Sequence, residues 1–135
     1  MPFQLSFTRR EAYSSLASGI NLETTLRFGG LFINCDAKVD TGAEVCLFQR
    51  AIAEALEIPI ENGNRMRLET LTGVLTAYGH EVVLEVLGLR LQTVVYFAES
   101  SEVRRNLLGR QGWLQLIKLG IVDHDSELYL GLYDE

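Results

Sequence analysis

Hydrophobic and polar residues alternate along most of the chain in short segments, which is the pattern of half-buried β-strands. Turn-forming residues interrupt the pattern, above all Gly29-Gly30, Thr72-Gly73, Gly79 and Gly88. The sequence therefore predicts a mostly β protein built from hairpins. The predicted strands cover residues 22–28, 31–39, 66–71, 74–78, 81–87, 89–97 and 127–132.

Two segments have helical rather than strand spacing. Within residues 49–57, Ile52 and Leu56 fall on one helical face. A second helix is predicted over residues 110–119, followed by Gly120 at the C-cap position. Its inward-facing residues are predicted to be Trp113, Leu116 and Ile117. We therefore expect one short helix in mid-chain and one C-terminal helix beside the strands.

Length and composition favour a single globular domain over residues 1–135. Hydrophobic residues make up 47% of the chain and charged residues 22%, as in proteins that form a packed core. The net charge of -6 leaves no broad basic surface for nucleic acid or anionic lipid. The start of the chain lacks the order of a secretory signal, and no apolar run is long enough for a bilayer. We expect a stand-alone cytoplasmic protein that binds neither nucleic acid nor membrane.

Metal and disulfide chemistry find little support in the sequence. Cys35 and Cys46 lie in apolar segments without CxxC spacing, so we expect buried free thiols. His80 and His124 have no Cys or His partner at ligand spacing, and the acidic turn around His124 lacks the rest of a calcium loop. No metal and no cofactor are predicted.

The candidate catalytic segment is the turn Asp40-Thr41-Gly42-Ala43, which lies between two apolar segments. In residues 31–39 the odd-numbered positions are apolar and most even-numbered ones are polar, so Asp40 leaves the strand on its polar face. Asp and Gly are ordinary turn formers, and by itself the tetrapeptide is most simply a turn. Its interpretation depends on what accompanies it.

A second motif far downstream accompanies the turn: Leu107-Leu108-Gly109-Arg110, at the head of the predicted C-terminal helix. With a hairpin between them, the two motifs resemble the retropepsins, the retroviral-type aspartic proteases, in order and spacing over nearly the whole chain. The resemblance implies a closed, barrel-like acid-protease fold of hairpins. It also implies a homodimeric aspartic endopeptidase that holds an extended peptide between its subunits and needs the dimer for activity.

The resemblance assigns roles to individual residues. Asp40 of each subunit would be catalytic, one as general base toward water and one as general acid. Thr41 would hydrogen-bond across the dimer axis, Gly42 would let substrate approach, and Ala43 is typical of the retroviral group. Glu44 and Arg110 match a pair that forms an ion pair in retroviral enzymes. Leu107, Leu108 and Gly109 would support the turn.

The hairpin between the motifs is predicted to be a flap over the substrate, with Gly73 permitting its turn. The flap residues are Leu71, Thr72, Gly73, Val74 and Leu75. By the same resemblance, residues 3–8 and 127–132 are candidates for a sheet shared between subunits.

Two other interpretations remain open. The fold can serve as a catalytically inactive dimerisation or peptide-binding module, because a fold does not fix a function. Alternatively, the chain is a small mixed barrel in which the motif is accidental, and that protein would be monomeric.

Overall fold

A computed structural model describes all residues of the chain, 1–135. It contains one α-helix, α1 (Arg50–Ala55), and three short 3-10 turns, at Ile60–Asn62, Leu114–Leu116 and Asp123–Asp125. The strands are β1 (Arg9–Ala12), β2 (Asn21–Phe28), β3 (Leu31–Val39), β4 (Leu47–Phe48), β5 (Asn64–Thr70), β6 (Gly73–Val86), β7 (Leu89–Ala98), β8 (Leu107–Leu108), β9 (Ile117–Val122) and β10 (Glu127–Leu132). No helix is both long and apolar enough to cross a membrane.

Seven of the strands form one sheet that closes on itself. Their order is β2-β3-β8-β4-β7-β6-β5, and β2 also pairs with β6, which completes the ring. A separate three-stranded sheet has the order β1-β10-β9. The prediction of a mostly β, closed, barrel-like fold is therefore confirmed.

The first hairpin follows its sequence signal. β2 and β3 pair antiparallel from Asn21 opposite Lys38 to Phe28 opposite Leu31. The connecting Gly29 and Gly30 have φ of 56° and 86°, a combination that favours glycine at both positions. The hairpin matters for function because β3 ends at the residue before Asp40.

The core fills the barrel and continues beneath the three-stranded sheet. Its largest fully buried side chains are Phe48, Phe97 and Trp113. The mid-chain helix is shorter than predicted, and it contributes Ile52 and Ala53 to this core. The helix is thus held against the barrel by burial of one apolar face.

Two predicted strands, 74–78 and 81–87, are in fact one continuous strand, β6. Gly79, expected at a turn, lies inside β6 opposite Tyr96 of β7. A Cβ at this position would lie 2.9 Å from the Tyr96 ring, so the glycine makes room for an aromatic side chain. A glycine in a strand can mark close packing as well as a turn.

The predicted C-terminal helix over residues 110–119 is wrong. The chain turns at Gly112, whose φ is 97°, makes one 3-10 turn at Leu114–Leu116 and then enters β9. Gly120 is not a C-cap, because it lies in β9 opposite Tyr129. Pairing of β9 with β10 outweighed the local helical spacing, since it aligns three apolar residues of each strand. Those pairs are Ile117 with Leu132, Leu119 with Leu130 and Ile121 with Leu128.

Of the three residues predicted to face inward in that segment, two are buried and one is exposed. Trp113 is 1% exposed and Ile117 is 6% exposed, as expected, whereas Leu116 is 39% exposed. In a helix all three would share one face. In the observed chain path, the 3-10 turn directs Leu116 away from the core.

Trp113→Ala is expected to lower the free energy of unfolding by about 3–5 kcal/mol, because it removes a fully buried aromatic side chain. Leu116→Ala is the matched control and is expected to cost about 1 kcal/mol or less, since that side chain is already partly in water. Urea denaturation followed by circular dichroism measures both values. Equal costs for the two variants would contradict this chain path.

Candidate functional site

The turn at Asp40 is held by its own backbone and side chain. The Asp40 N–H donates to the carbonyl of Leu108 at 3.0 Å, and the Asp40 carbonyl accepts the Ala43 N–H at 3.1 Å. Oδ1 of Asp40 accepts the Gly42 N–H at 3.0 Å. The Asp40 carboxylate is half-buried, while Thr41 and Gly42 are exposed. The carboxylate thus has a fixed position at an accessible surface.

The second motif reaches this turn through β8. Leu107 and Leu108 pair in parallel with Lys38 and Val39 of β3, and Leu107 also pairs antiparallel with Leu47 of β4. The two-residue strand is therefore inserted between the strands on either side of the Asp40 turn. The structure brings together the two motifs that lie far apart in the sequence.

Gly109 is the point of closest approach between the two motifs. A Cβ there would lie 2.2 Å from the Val45 carbonyl oxygen and 2.9 Å from that of Ala43. Its N–H donates to Sγ of Cys46 at 3.4 Å. No side chain other than hydrogen fits, so glycine at this position is a packing requirement.

The expected ion pair between Glu44 and Arg110 is absent. Both side chains are exposed, and neither takes part in any salt bridge. The segments are joined through their backbones, because Arg110 N–H donates to the Ala43 carbonyl and Gln111 N–H donates to the Glu44 carbonyl, both at 2.9 Å. Main-chain hydrogen bonds fix this geometry without requiring either side chain.

A cleft of about 860 Å³ opens beside the turn. Its floor is built by the Asp40 turn and β4, and its roof by the β5–β6 hairpin. Half of its lining residues are hydrophobic. The lining consists of Asp40, Gly42, Ala43, Glu44, Val45, Leu47, Arg67, Leu68, Glu69, Thr70, Leu71, Leu75, Arg105 and Leu107.

The predicted flap residues form the tip of the roof. Leu71 and Thr72 are the two-residue connection between Thr70 and Gly73, and Gly73 has a φ of 135°. Leu71 and Leu75 line the cleft, whereas Thr72, Gly73 and Val74 do not. The Thr70 hydroxyl donates to the Gly73 carbonyl at 2.8 Å and accepts the Thr72 N–H at 3.3 Å. Thr70 therefore organises the turn, a role that the sequence alone did not assign to it.

Other lining residues were also missed. Leu107 was expected only to support the turn, yet it lines the cleft while Leu108 is fully buried. The strand before the flap tip contributes Arg67, Leu68 and Glu69. The sequence did contain a signal for these three residues, because they belong to the predicted flap hairpin. A hairpin that covers a cleft does so with both of its strands.

Neither of the two cysteine thiols lines the cleft. Burial raises the pKa of Cys46 to about 11, and the N–H of Gly109 partly offsets this effect. Burial, followed by the charge of Asp36, raises the pKa of Cys35 to about 11. Both thiols are free and stay protonated near neutral pH, as expected for structural cysteines. Cys46 is buried, whereas Cys35 is only half-buried.

Comparisons with known proteins agree with this geometry. A family model described as aspartyl protease matches residues 24–111, which include both motifs and the flap. No curated protein matches the chain. Among solved structures, the EIAV protease complexed with the inhibitor HBY-793 is similar, with a TM-score of 0.53 and 17% identity. The match covers 72% of this chain and 86% of the viral one, and at this identity it bears on the fold alone.

Gly109→Ala is expected to destabilise the protein by about 2–3 kcal/mol or more, because its Cβ would collide with backbone atoms that cannot move independently. Gly42→Ala is the matched control for stability, since the nearest atom to its Cβ, Oδ1 of Asp40, is at 3.4 Å. Thermal unfolding compares the two variants. A Gly109→Ala protein as stable as the control would contradict the contact between the motifs.

Proposed function

Since this chain belongs to the aspartyl protease family, we propose that it is an endopeptidase that works as a homodimer, with Asp40 of each subunit in one shared active site. The observation that carries the proposal is the fixed, accessible Asp40 carboxylate at the floor of a half-apolar cleft. The chain holds only one Asp-Thr-Gly sequence. A second Asp40 therefore has to come from a second copy.

The reaction requires two carboxyl groups in different protonation states. One Asp40 carboxylate accepts a proton from water while the water oxygen bonds to the scissile carbonyl carbon, and the other Asp40, as an acid, protonates the carbonyl oxygen. The C–N bond then breaks as the nitrogen takes the proton that the first Asp40 accepted from water, while a hydroxyl of the tetrahedral intermediate returns a proton to the second Asp40. Two carboxyl groups held close together retain one proton between them, so identical residues supply acid and base.

Other carboxylates in the cleft are poorer candidates for the second group. Glu44 and Glu69 line it, but both are exposed. Neither side chain accepts a hydrogen bond that would fix its position, unlike the Asp40 carboxylate, which accepts the N–H of Gly42. Catalysis by proton transfer needs groups held in place, which favours a pair of Asp40 residues over an intrachain Asp-Glu pair.

Substrate binding follows from the shape of the cleft. An extended peptide between the Asp40 turn and the β5–β6 hairpin would meet apolar side chains above and below, including Leu71 in the roof and Leu47 in the floor. Strand-like backbone hydrogen bonds and pockets for alternate side chains suit such a segment. The two-residue tip at Leu71 and Thr72 is the part of the roof best placed to close and exclude water.

The strand suggested for the interface by resemblance is already paired on both edges. β10 (Glu127–Leu132) lies between β1 and β9, and the N–H of Thr8 donates to the Leu130 carbonyl at 2.9 Å. Within one subunit, residues 127–132 therefore have no free edge, and a role for them in the interface stays a prediction. Residues 3–8 precede β1 and form no strand of their own.

We propose an interface at β9, which, like β1, has an outer edge without a neighbouring strand. Ile121 and Val122 on this strand are exposed apolar residues, and unpaired edges with such residues favour pairing with another chain. Two copies of β9 can pair antiparallel about a two-fold axis. The strand also begins close to the site, because Leu114 N–H donates to the Gly109 carbonyl at 3.1 Å.

Asp40→Asn is expected to lower kcat/KM on an unstructured protein substrate by at least about a thousandfold, because an amide cannot exchange the required proton. The amide oxygen can still accept the Gly42 N–H, so fold and dimer should persist. Asp36→Asn, on the strand β3 that leads into Asp40 but outside the cleft, is the matched control and should keep full activity. Equal cleavage by wild type and Asp40→Asn would refute the mechanism. A wild type that dimerises without cleaving anything would favour the binding module.

Ile121→Lys is expected to weaken the dimer at least about tenfold and to lower activity at low protein concentration, since a charge on an edge strand opposes pairing. Leu31→Lys at the remote β2–β3 hairpin is the control, with 39% exposure against 41% for Ile121. Sedimentation velocity over a concentration series measures both. Unchanged dimerisation of Ile121→Lys would place the interface elsewhere.

A further inference from the structure

The cleft at Asp40 holds two arginine side chains without an ion-pair partner. Arg67 lies on β5 in the roof, and Arg105 lies in the wall shortly before β8. The other charged lining residues are the carboxylates of Asp40, Glu44 and Glu69. None of these five side chains forms a salt bridge. Both guanidinium groups are therefore available to a ligand.

The backbone next to Arg105 is firmly attached to the barrel. The Asn106 carbonyl accepts the Lys38 N–H at 2.8 Å. The Asn106 side chain donates to the Asp36 carbonyl at 3.1 Å and accepts the Gln49 N–H at 3.1 Å. Three hydrogen bonds thus fix the residue that follows Arg105. The wall of the cleft is rigid where this arginine begins.

Two adjacent arginines before β8 differ in their position relative to the cleft. Leu108 is buried and Asn106 bonds to the barrel, while Arg105 and Leu107 line the cleft. Arg104, the preceding residue, does not line the cleft. Arg105 is also three positions before Leu108, whose carbonyl accepts the Asp40 N–H. Of the two, only Arg105 is placed to reach a substrate near the catalytic carboxylate.

We propose that Arg105 is a specificity-determining residue that binds the carboxylate of an Asp or Glu side chain of the substrate, close to the bond that is cleaved. The inference rests on the function proposed above and names its substrate class. A guanidinium presents several N–H donors in a planar fork that matches a carboxylate. Leu47 and Leu107 line the same cleft and reduce competition from water.

Local charge favours this assignment over a general attraction to acidic peptides. The chain has a net charge of -6 and the cleft contains three carboxylates per subunit, so its overall field opposes an acidic substrate. An acidic side chain of the substrate therefore gains binding free energy only where a cation contacts it directly. Because a two-fold axis places one Arg105 on each side of the scissile bond, the preference is expected on both sides.

The test uses fluorescent peptides with a central Leu-Phe pair, in which Glu, Gln or Lys is placed in turn at each flanking position. Cleavage by the wild-type protein gives kcat/KM for each peptide, and anisotropy with Asp40→Asn gives its affinity in the absence of turnover. The ratio of kcat/KM, or of affinity, between the Glu and Gln peptides isolates the effect of the charge, because the two side chains have nearly the same shape. Arg105→Gln and Arg105→Glu are the test variants, and Arg104→Gln is the matched control.

We expect Glu to be preferred over Gln about tenfold at one or more positions, in cleavage and in binding. Arg105→Gln should abolish this ratio, Arg105→Glu should shift the preference to Lys, and Arg104→Gln should keep it. No Glu preference in either assay, or a preference that survives Arg105→Gln, overturns the inference. Wild type that cleaves no peptide while Asp40→Asn still binds with an Arg105-dependent Glu preference would refute the proposed catalysis and leave the recognition of acidic side chains standing.

Discussion

The site depends on the insertion of a two-residue strand, β8, between the strands on either side of the Asp40 turn. The hydrogen bond from the Asp40 N–H to the Leu108 carbonyl, at 3.0 Å, joins the two motifs directly. Gly109 then passes so close to Val45 that only hydrogen fits as its side chain. These contacts use backbone atoms and therefore tolerate the absence of an ion pair between Glu44 and Arg110. The position of the carboxylate follows from sheet pairing, and the surface side chains are left free to vary.

A single chain contains only half of the proposed chemistry. Its cleft has one roof, one arginine wall at Arg105 and one Asp40 carboxylate, whereas peptide hydrolysis needs an acid and a base. In the proposed homodimer, a two-fold axis would supply the second carboxylate and double every specificity element at the same time. In one subunit β10 is paired on both edges, and of the two edge strands of its sheet, β1 and β9, only β9 carries exposed large apolar residues. Catalysis, substrate preference and association are thereby linked in one proposal.

Local signals predicted the hairpins, the mid-chain helix and the Asp40 turn, because turn chemistry and strand alternation act over a few residues. Signals with two physical meanings were misread. Gly79 has the sequence context of a turn but makes room for the Tyr96 ring. The segment after Trp113 fits both a helical and a strand period. Its pairing with β10 decided the outcome, and that pairing is not local. Arg105 could not be assigned to the cleft from sequence, since its place depends on β8, a strand too short to predict.

The most direct test of the central claim is subunit mixing. Wild-type and Asp40→Asn chains are mixed at constant total concentration, allowed to exchange, and assayed for cleavage as the wild-type fraction is varied. If each active site needs Asp40 from both subunits, activity falls as the square of the wild-type fraction, because mixed dimers are inactive. A linear fall would mean that one chain carries out the reaction alone and would contradict the account.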